Sequence, residues 1–282
     1  MKYSLSAKNL VSRNLENRAA YCADLLNPKQ SKEITGLLRT DSGLLSTHFN
    51  QVISNSVAQP RILQRFVVDY FAERHSPFSL WHCASRPLDD DALAELGLEK
   101  LPPKVAMAAE VKQLAATERN VEGLTVGNVD NATDLERFGD LVTEFTDDTR
   151  ERAQIKKFFH QLAALPEHKY SRMKFILALL EDKPVAIGNL FSSADALGFY
   201  EMGTLPKYRG RGIGAAVFQH MLREVLHSHH KHAVALVDEN RQRLFLDAGF
   251  YAVGEVANYQ FNPQRSGVHR ADSENGPQSR SA

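Results

Sequence analysis

The chain has 282 residues, 43% hydrophobic and 24% charged, which is the make-up of an ordinary soluble globular protein with room for two domains. Lys plus Arg and Asp plus Glu each number 34, so the net charge is zero and bulk electrostatics advertise neither a nucleic-acid nor a membrane partner. No apolar run approaches the roughly 18 residues of a membrane span, residues 1–18 lack the apolar core of a secretory signal, and two cysteines, Cys22 and Cys83, form no disulfide framework or metal motif, so a reducing cytoplasm is expected.

Residues 1–118 read as one unit. Leu10, Leu15, Ala19, Cys22 and Leu26 fall on one helical stripe, and Ile62, Leu63, Phe66, Val67, Tyr70 and Phe71 on another. "EITGLLRT", "FSLWHC" and "KVAMAAEV" are strand candidates, and "DDDALAELGL" is a short helix with acids at its start and glycine at its stop. The polar stretch "KQLAATERNVEG" connects to a second unit, 119–262. There "LTVGNV" is a strand, and "DNATDLERFGDLVTEF" is a helix with Leu135, Phe138, Leu141, Val142 and Phe145 facing inward. "RERAQIKKFFHQLAAL" is a second helix stopped by Pro166, and residues 174–205 form a three-strand antiparallel meander with turns at Glu181–Lys183 and Ser192–Asp195. A glycine-rich loop, a helix carrying Phe218, Met221, Leu222 and Val225, the strand "AVALVD", the short helix "ENRQRLFLDAGF" and the strand "YAVGEVANYQF" complete the pattern. Residues 263–282 hold almost no large apolar side chains and read as a disordered polar tail.

The loop "TLPKYRGRGIGAA" (204–216) carries the chemistry. Each glycine there forgoes about 0.5–1 kcal/mol relative to alanine, so Gly210, Gly212 and Gly214 mark a backbone that bends tightly or approaches a ligand. The first N–H groups of the following helix lack intrahelical partners and sit at the positive end of its dipole, while Arg209 and Arg211 add charge-assisted donors. A phosphate, most simply a pyrophosphate, is the ligand such a loop holds. No Gly-Lys-Ser/Thr follows, which excludes a Walker loop. Gly210, Gly212 and Ala215 with Asp238 also satisfy a dinucleotide fingerprint, so an NAD-binding protein stays open as a third reading. Too little chain follows Asp238 to complete a doubly wound sheet.

"RGRGIG" (209–214) resembles the R/Q-x-x-G-x-G/A pyrophosphate motif of the GCN5-related N-acetyltransferases (GNAT), and "LFLDAGF" (244–250) resembles the segment that closes their catalytic core. The likeness covers about 124–261. "HFNQVI" (48–53), "PFSLWHC" (77–83) and "VAMAAEV" (105–111) resemble stretches that precede the catalytic domain in tandem-domain members, among them VipF-like effectors delivered into host cells. The resemblance implies an α/β (α+β) fold of two GNAT-like domains. Each would be a mixed, mostly antiparallel sheet flanked by helices, with the amino-terminal copy degenerate. It implies acetyl-CoA as co-substrate, no metal, and acyl transfer to a primary amine of a protein or small molecule by direct attack in a ternary complex, in a monomer or dimer. The setting would be the cytoplasm or, for an effector, a host cytosol.

Carried onto this sequence, the resemblance assigns the acetyl and pantetheine contacts to Met202, Gly203, Thr204 and Leu205, and the pyrophosphate to Arg209, Gly210, Arg211, Gly212, Ile213, Gly214 and Ala215. The site should open between the Met202–Leu205 strand and "AVALVD". Glu201 is the best-placed carboxylate for a general base, with a surface or salt-bridged strand glutamate as its rival reading. Asn240 and Phe245 would neighbour the cofactor, but Asn240 sits closer to Leu244 than the family's usual asparagine does. Phe245 replaces the tyrosine that usually protonates the leaving thiolate, which keeps open a non-catalytic acetyl-CoA-binding or interaction module. Four histidines in "HSHHKH" lie at a helix end with no carboxylate or cysteine nearby in sequence, Trp81 reads as core, and "PLDDDALAE" reads as a solvated helix start.

Overall fold

In the computed structural model, which describes residues 6–57 and 59–264, Ser6 accepts a hydrogen bond from the Asn9 N–H and opens α1 (Ala7–Leu26). β1 (Lys32–Ile34) and β2 (Leu37–Thr40) follow, then β3 (Gln51–Ser54), a helical run made of α2 (Pro60–Leu63), a π-helical turn (Gln64–Val68) and α3 (Asp69–Glu73), β4 (Phe78–His82), α4 (Asp90–Glu95) and β5 (Leu98–Glu110). The second half comprises β6 (Leu124–Asn128), α5 (Ala132–Thr143), α6 (Thr149–Ala163), β7 (Met173–Leu180), β8 (Lys183–Ser192), β9 (Leu197–Thr204), α7 (Ile213–Leu226), β10 (His232–Val237), α8 (Gln242–Leu246) and β11 (Tyr251–Phe261).

All the strands join one sheet in the order β1-β2-β3-β4-β11-β5-β10-β9-β8-β7-β6. Its pairings are antiparallel except β3 with β4 and β9 with β10, so the sheet is mixed and mostly antiparallel as expected. The two parallel pairs lie on either side of a shared centre. There β5, from the first half, fits between β10 and β11, and the end of β11 pairs in turn with β4. The arrangement has an approximate two-fold symmetry that no residue-level repeat discloses.

α7 packs on one face, burying Val217, Phe218, Met221, Leu222 and Val225 against Ile176, Ala186 and Phe199. α5 and α6 cover the opposite face beside α1, whose Leu10, Val11, Leu15 and Ala19 lie against Ala106, Ala108, Val234 and Val256. Gly139 allows α5 and α6 to approach, since a β-carbon there would stand 2.5 Å from the Phe159 Cβ.

Several elements depart from expectation. "EITGLLRT" is a hairpin, because Thr35 (φ 46°) and Gly36 (φ 77°) both turn left-handed between β1 and β2. β5 starts six residues before the expected Lys104 and runs through Pro102 and Pro103, whose missing N–H groups fall where the register with β11 slips between Val256 and Asn258. Phe145 lies past the end of α5, 38% exposed, and packs over Gly203 instead of facing inward. Apart from its first two residues, the expected polar tail at 263–282 lies outside the described residues.

Candidate active site

β9 and β10 pair through only three residue pairs, Leu197↔Ala233, Gly198↔Val234 and Phe199↔Ala235. Beyond them the strands part. On its other edge β9 bulges: the register with β8 jumps from Tyr200↔Asn189 to Gly203↔Ile187, so Glu201 and Met202 together oppose Gly188. Glu201 adopts φ 50°, a left-handed backbone that side-chain-bearing residues rarely take and that stores roughly 1–3 kcal/mol of strain.

A cavity of about 410 Å³ fills the parting. Phe199 and Val237 on its wall belong to the α7 face of the sheet, whereas Tyr200 and Leu236 pack with the α1 face. The opening therefore passes between the strands and joins both faces. Of the residues singled out from the sequence, Glu201, Met202, Gly203, Thr204, Arg209, Gly214, Ala215 and Phe245 line it. Leu205, Gly210, Arg211, Gly212, Ile213 and Asn240 do not line it; Ile213 is buried in the core, and Asn240 is exposed in the turn before α8.

The glycine loop forms the rim on the α7 side. Gly210 (φ 76°) and Gly212 (φ 80°) both take left-handed backbone, and a β-carbon at Gly210 would meet nothing within 4 Å. Gly212 is the N-cap of α7 and offers no side-chain cap, so the first-turn N–H groups stay available to an anion. Arg209 and Arg211 are exposed, and neither meets a carboxylate among the described residues. Arg209 Nε donates to the Thr204 carbonyl at 3.1 Å, and Arg241 Nη1 to the Met202 carbonyl at 2.8 Å, so cationic side chains flank the parted strand. Such a rim fits a pyrophosphate. Asp238, the acid of the dinucleotide reading, is paired with Lys104 and Arg241.

On the α1 side, the Glu201 side chain is 9% exposed and meets two partners from the first half of the chain. Arg18, on α1 and 7% exposed, donates to Glu201 Oε1 and lies over the Tyr200 ring at 4.4 Å. His48 Nε2 reaches the same oxygen at 3.1 Å. Burial raises the Glu201 carboxyl, but the Arg18 charge and the His48 hydrogen bond outweigh it and hold the group below its ordinary value. Glu201 is thus a salt-bridged carboxylate in the cavity wall, with no exposed surface position. Nothing local in the sequence pairs Arg18 or His48 with Glu201. Arg18 does leave a trace: it interrupts the buried helical stripe Val11, Leu15, Cys22 at helical spacing.

Phe245 is 3% exposed and closes the cavity within a cluster of Phe199, Phe218 and Phe250, with ring centroids 4.7–5.7 Å away. In "HSHHKH", His230 bonds Ser192 and the Ser193 carbonyl, and among the described residues no three His, Cys, Asp or Glu side chains converge on a metal position. Asp89 caps α4, and Asp90 accepts from the Tyr259 hydroxyl, which accounts for the acidic run. Trp81 is only partly buried at the margin of the α1-face core.

A bulged strand that parts from its parallel neighbour above a glycine-capped helix, in an α+β sheet, defines an acetyltransferase-type fold. Residues 138–250 match the acetyltransferase (GNAT) family, and this segment belongs to the GNAT superfamily. Among solved structures, a GCN5-related N-acetyltransferase from Kribbella flavida aligns with TM-score 0.65 at 15% identity, over 89% of this chain and 95% of that one. A functionally unknown conserved protein from Staphylococcus epidermidis aligns at 0.61 and 14%, over 84% and 95%. A tandem GNAT protein from the clavulanic acid biosynthesis pathway aligns at 0.51 and 10%, over 92% and 97%. At such identities the likeness carries the fold, here a tandem one. No curated protein sequence matches the chain, and the comparisons give no support to the effector resemblance. No helix among the described residues is long and apolar enough to cross a membrane.

Proposed function

We propose that the protein is an acetyl-CoA-dependent N-acetyltransferase acting on a primary amine. The observation that supports this best is the cavity joining both faces of the sheet, with the glycine loop at one mouth and Glu201 at the other. Acetyl-CoA supplies the activated acyl group. Gly210–Ala215 and the two arginines would hold its pyrophosphate, and the Met202–Leu205 backbone would run beside its pantetheine arm. An N–H of that backbone facing the acetyl oxygen would stabilise the oxyanion of the tetrahedral intermediate. In this reading the chemistry belongs to residues 119–262, and residues 1–118 reach the site through the contacts of Arg18 and His48 with Glu201.

Direct attack is favoured over an acyl-enzyme. Burial pushes the Cys22 thiol up to about 11 and the Cys83 thiol up to about 12, so neither supplies a thiolate near neutral pH. The attacking amine must be neutral, which for a lysine-type amine at pH 7 requires about 4.6 kcal/mol. Phe245, lacking a hydroxyl, cannot protonate the departing thiolate; it favours the second reading, a non-catalytic acetyl-CoA-binding module. A thiol with a pKa near 8.5 still leaves without help.

Acetyl-CoA at a hundred times its Kd should raise stability by about 2.7 kcal/mol, and calorimetry should return one site per chain. Gly212→Glu, which sets a carboxylate against the pyrophosphate, should abolish both signals. Stabilisation by NADH and none by acetyl-CoA would overturn the assignment. Binding without thiol release across a panel of an α-amino peptide, a lysine peptide, an amino sugar and a polyamine would favour the binding module.

A further inference from the structure

Of the three groups joined at Glu201, only Glu201 itself lines the cavity, and His48 beside it is the one most open to solvent. Arg18 and Glu201 are 7% and 9% exposed, whereas the His48 side chain is 31% exposed. His48 comes from the loop that precedes β3, in the first half of the chain, and three features fix its ring. The His48 backbone N–H donates to Glu151 Oε1 on α6 at 3.1 Å and to Ser46 Oγ at 3.1 Å. Its ring stands edge-on to Phe49, with centroids 4.8 Å apart, and Phe49 stacks on Phe158 at 3.9 Å. Its Nε2 lies 3.1 Å from Glu201 Oε1.

That last contact sets the tautomer. A carboxylate kept ionised by a buried guanidinium is an acceptor only, so Nε2 must carry the hydrogen. Nδ1 then bears the lone pair. Among the described residues Nδ1 has no hydrogen-bond partner, and it is not one of the buried unsatisfied atoms, so solvent reaches it. The strain at Glu201 is consistent with this arrangement, since the bulge is what brings a strand carboxylate to the mouth, between α1 and the His48 loop.

Resting on the acetyltransferase reading, we propose that His48, supplied by the amino-terminal half, accepts the proton of the attacking amine at Nδ1, directly or through one water, and that Glu201 is its positioning residue. The amine nitrogen forms the bond to the acetyl carbon, and the carbon–sulfur pair leaves with CoA as thiolate. The amine proton passes to Nδ1, and the resulting imidazolium is stabilised by Glu201, whose own charge Arg18 maintains. The imidazolium then returns the proton to solvent or to the thiolate. Glu201 alone is a poor acceptor here, because Arg18 makes its carboxylate less basic than an ordinary one. This gives the amino-terminal half a role at the site.

The first test needs no acceptor. Histidine ¹⁵N spectra of the full chain at pH 8 should show His48, assigned by its loss in His48→Gln, as the Nε2–H tautomer with an unprotonated Nδ1. Glu201→Gln should shift it towards a tautomer mixture. The Nδ1–H tautomer in the wild type would overturn the proposal whatever the turnover. With any amine of the panel that is turned over, His48→Ala should lower kcat by about 10²–10⁴-fold with little change in acetyl-CoA affinity, and added imidazole should restore part of the rate. Glu201→Gln should also lower kcat, without rescue by imidazole. An unchanged kcat in His48→Ala beside a loss in Glu201→Gln would make Glu201 the base and sink the proposal while leaving the acetyltransferase reading intact. No thiol release by the wild type would instead count against that reading.

Discussion

Replacing Arg18 by Met tests the ion pair at the centre of the site. The methionine keeps the apolar stem but withdraws the charge, so Glu201 is left 9% exposed with only His48 beside it. Breaking one side of a buried pair costs about 3–5 kcal/mol, because an uncompensated charge remains in a poorly solvated place. For a chain of this size each kcal/mol moves Tm by about 2 °C, so Arg18→Met should melt about 6–10 °C below the wild type at pH 7.5. The pH dependence carries the sharper signature. In the wild type the Glu201 carboxyl is held below its unfolded value, so its contribution is present above that value, about 4.3, and is lost as pH falls through the folded value. In Arg18→Met burial dominates and the folded value rises above the unfolded one. The variant then loses stability as pH climbs from about 4.3 through its raised folded value, and the deficit against the wild type narrows on acidification. Melting both proteins from pH 8 to pH 5 measures this, and Arg18→Met/Glu201→Gln should recover at least half of the loss. A deficit that stays constant across that range, or a Tm within 1 °C of the wild type at pH 7.5, would refute the reasoning.

Phe245→Ala should lose about 3–5 kcal/mol in a urea titration followed by circular dichroism, since the ring is 3% exposed among three other phenylalanines; a loss below about 1 kcal/mol would contradict that packing. Gly139→Ala sets two effects against each other. Helix propensity alone would add about 1 kcal/mol, but the new methyl would stand 2.5 Å from Phe159 Cβ, so a net loss of about 1–2 kcal/mol is expected, and a raised urea midpoint would show that α5 and α6 are less tightly opposed than described.

The parts of this protein that a sequence can disclose are those where a local demand selects a residue type. The left-handed backbone at Gly210 and Gly212 admits few residues besides glycine, so the rim of the cavity was readable before any fold was known. α7 announces itself through a buried stripe at helical spacing, and the meander through its turns. What stayed hidden depends on partners distant in the chain. β3 is four residues long and is a strand because β2 and β4 flank it. β5 crosses two prolines, against local propensity, because it bulges there and sets Pro102 and Pro103 together opposite Ala257 of β11. Arg18 and His48 meet Glu201 across 183 and 153 residues, and no spacing rule reaches so far. Phe145 was misplaced because the periodicity of α5 runs on past the turn that ends the helix at Thr143.

The lodging of β5 between β10 and β11 bears on how the chain is made. When β5 leaves the ribosome neither of its neighbours exists, because β10 begins at His232 and β11 at Tyr251. Its apolar run Val105–Ala109 then offers two bare edges to any passing strand, which is the condition under which nascent chains associate wrongly. β4 likewise waits for Ala257–Phe261. Vectorial folding, first half before second, is therefore closed to this protein, and the rate of acquiring structure is governed by contacts of very long sequence separation. Slower translation should lengthen the exposure and lower the folded yield, and a holdase supplied in excess should recover it. β11, the last strand among the described residues, acts as a clasp on both halves, and the ladders of β4 and β5 are complete only once it has been released.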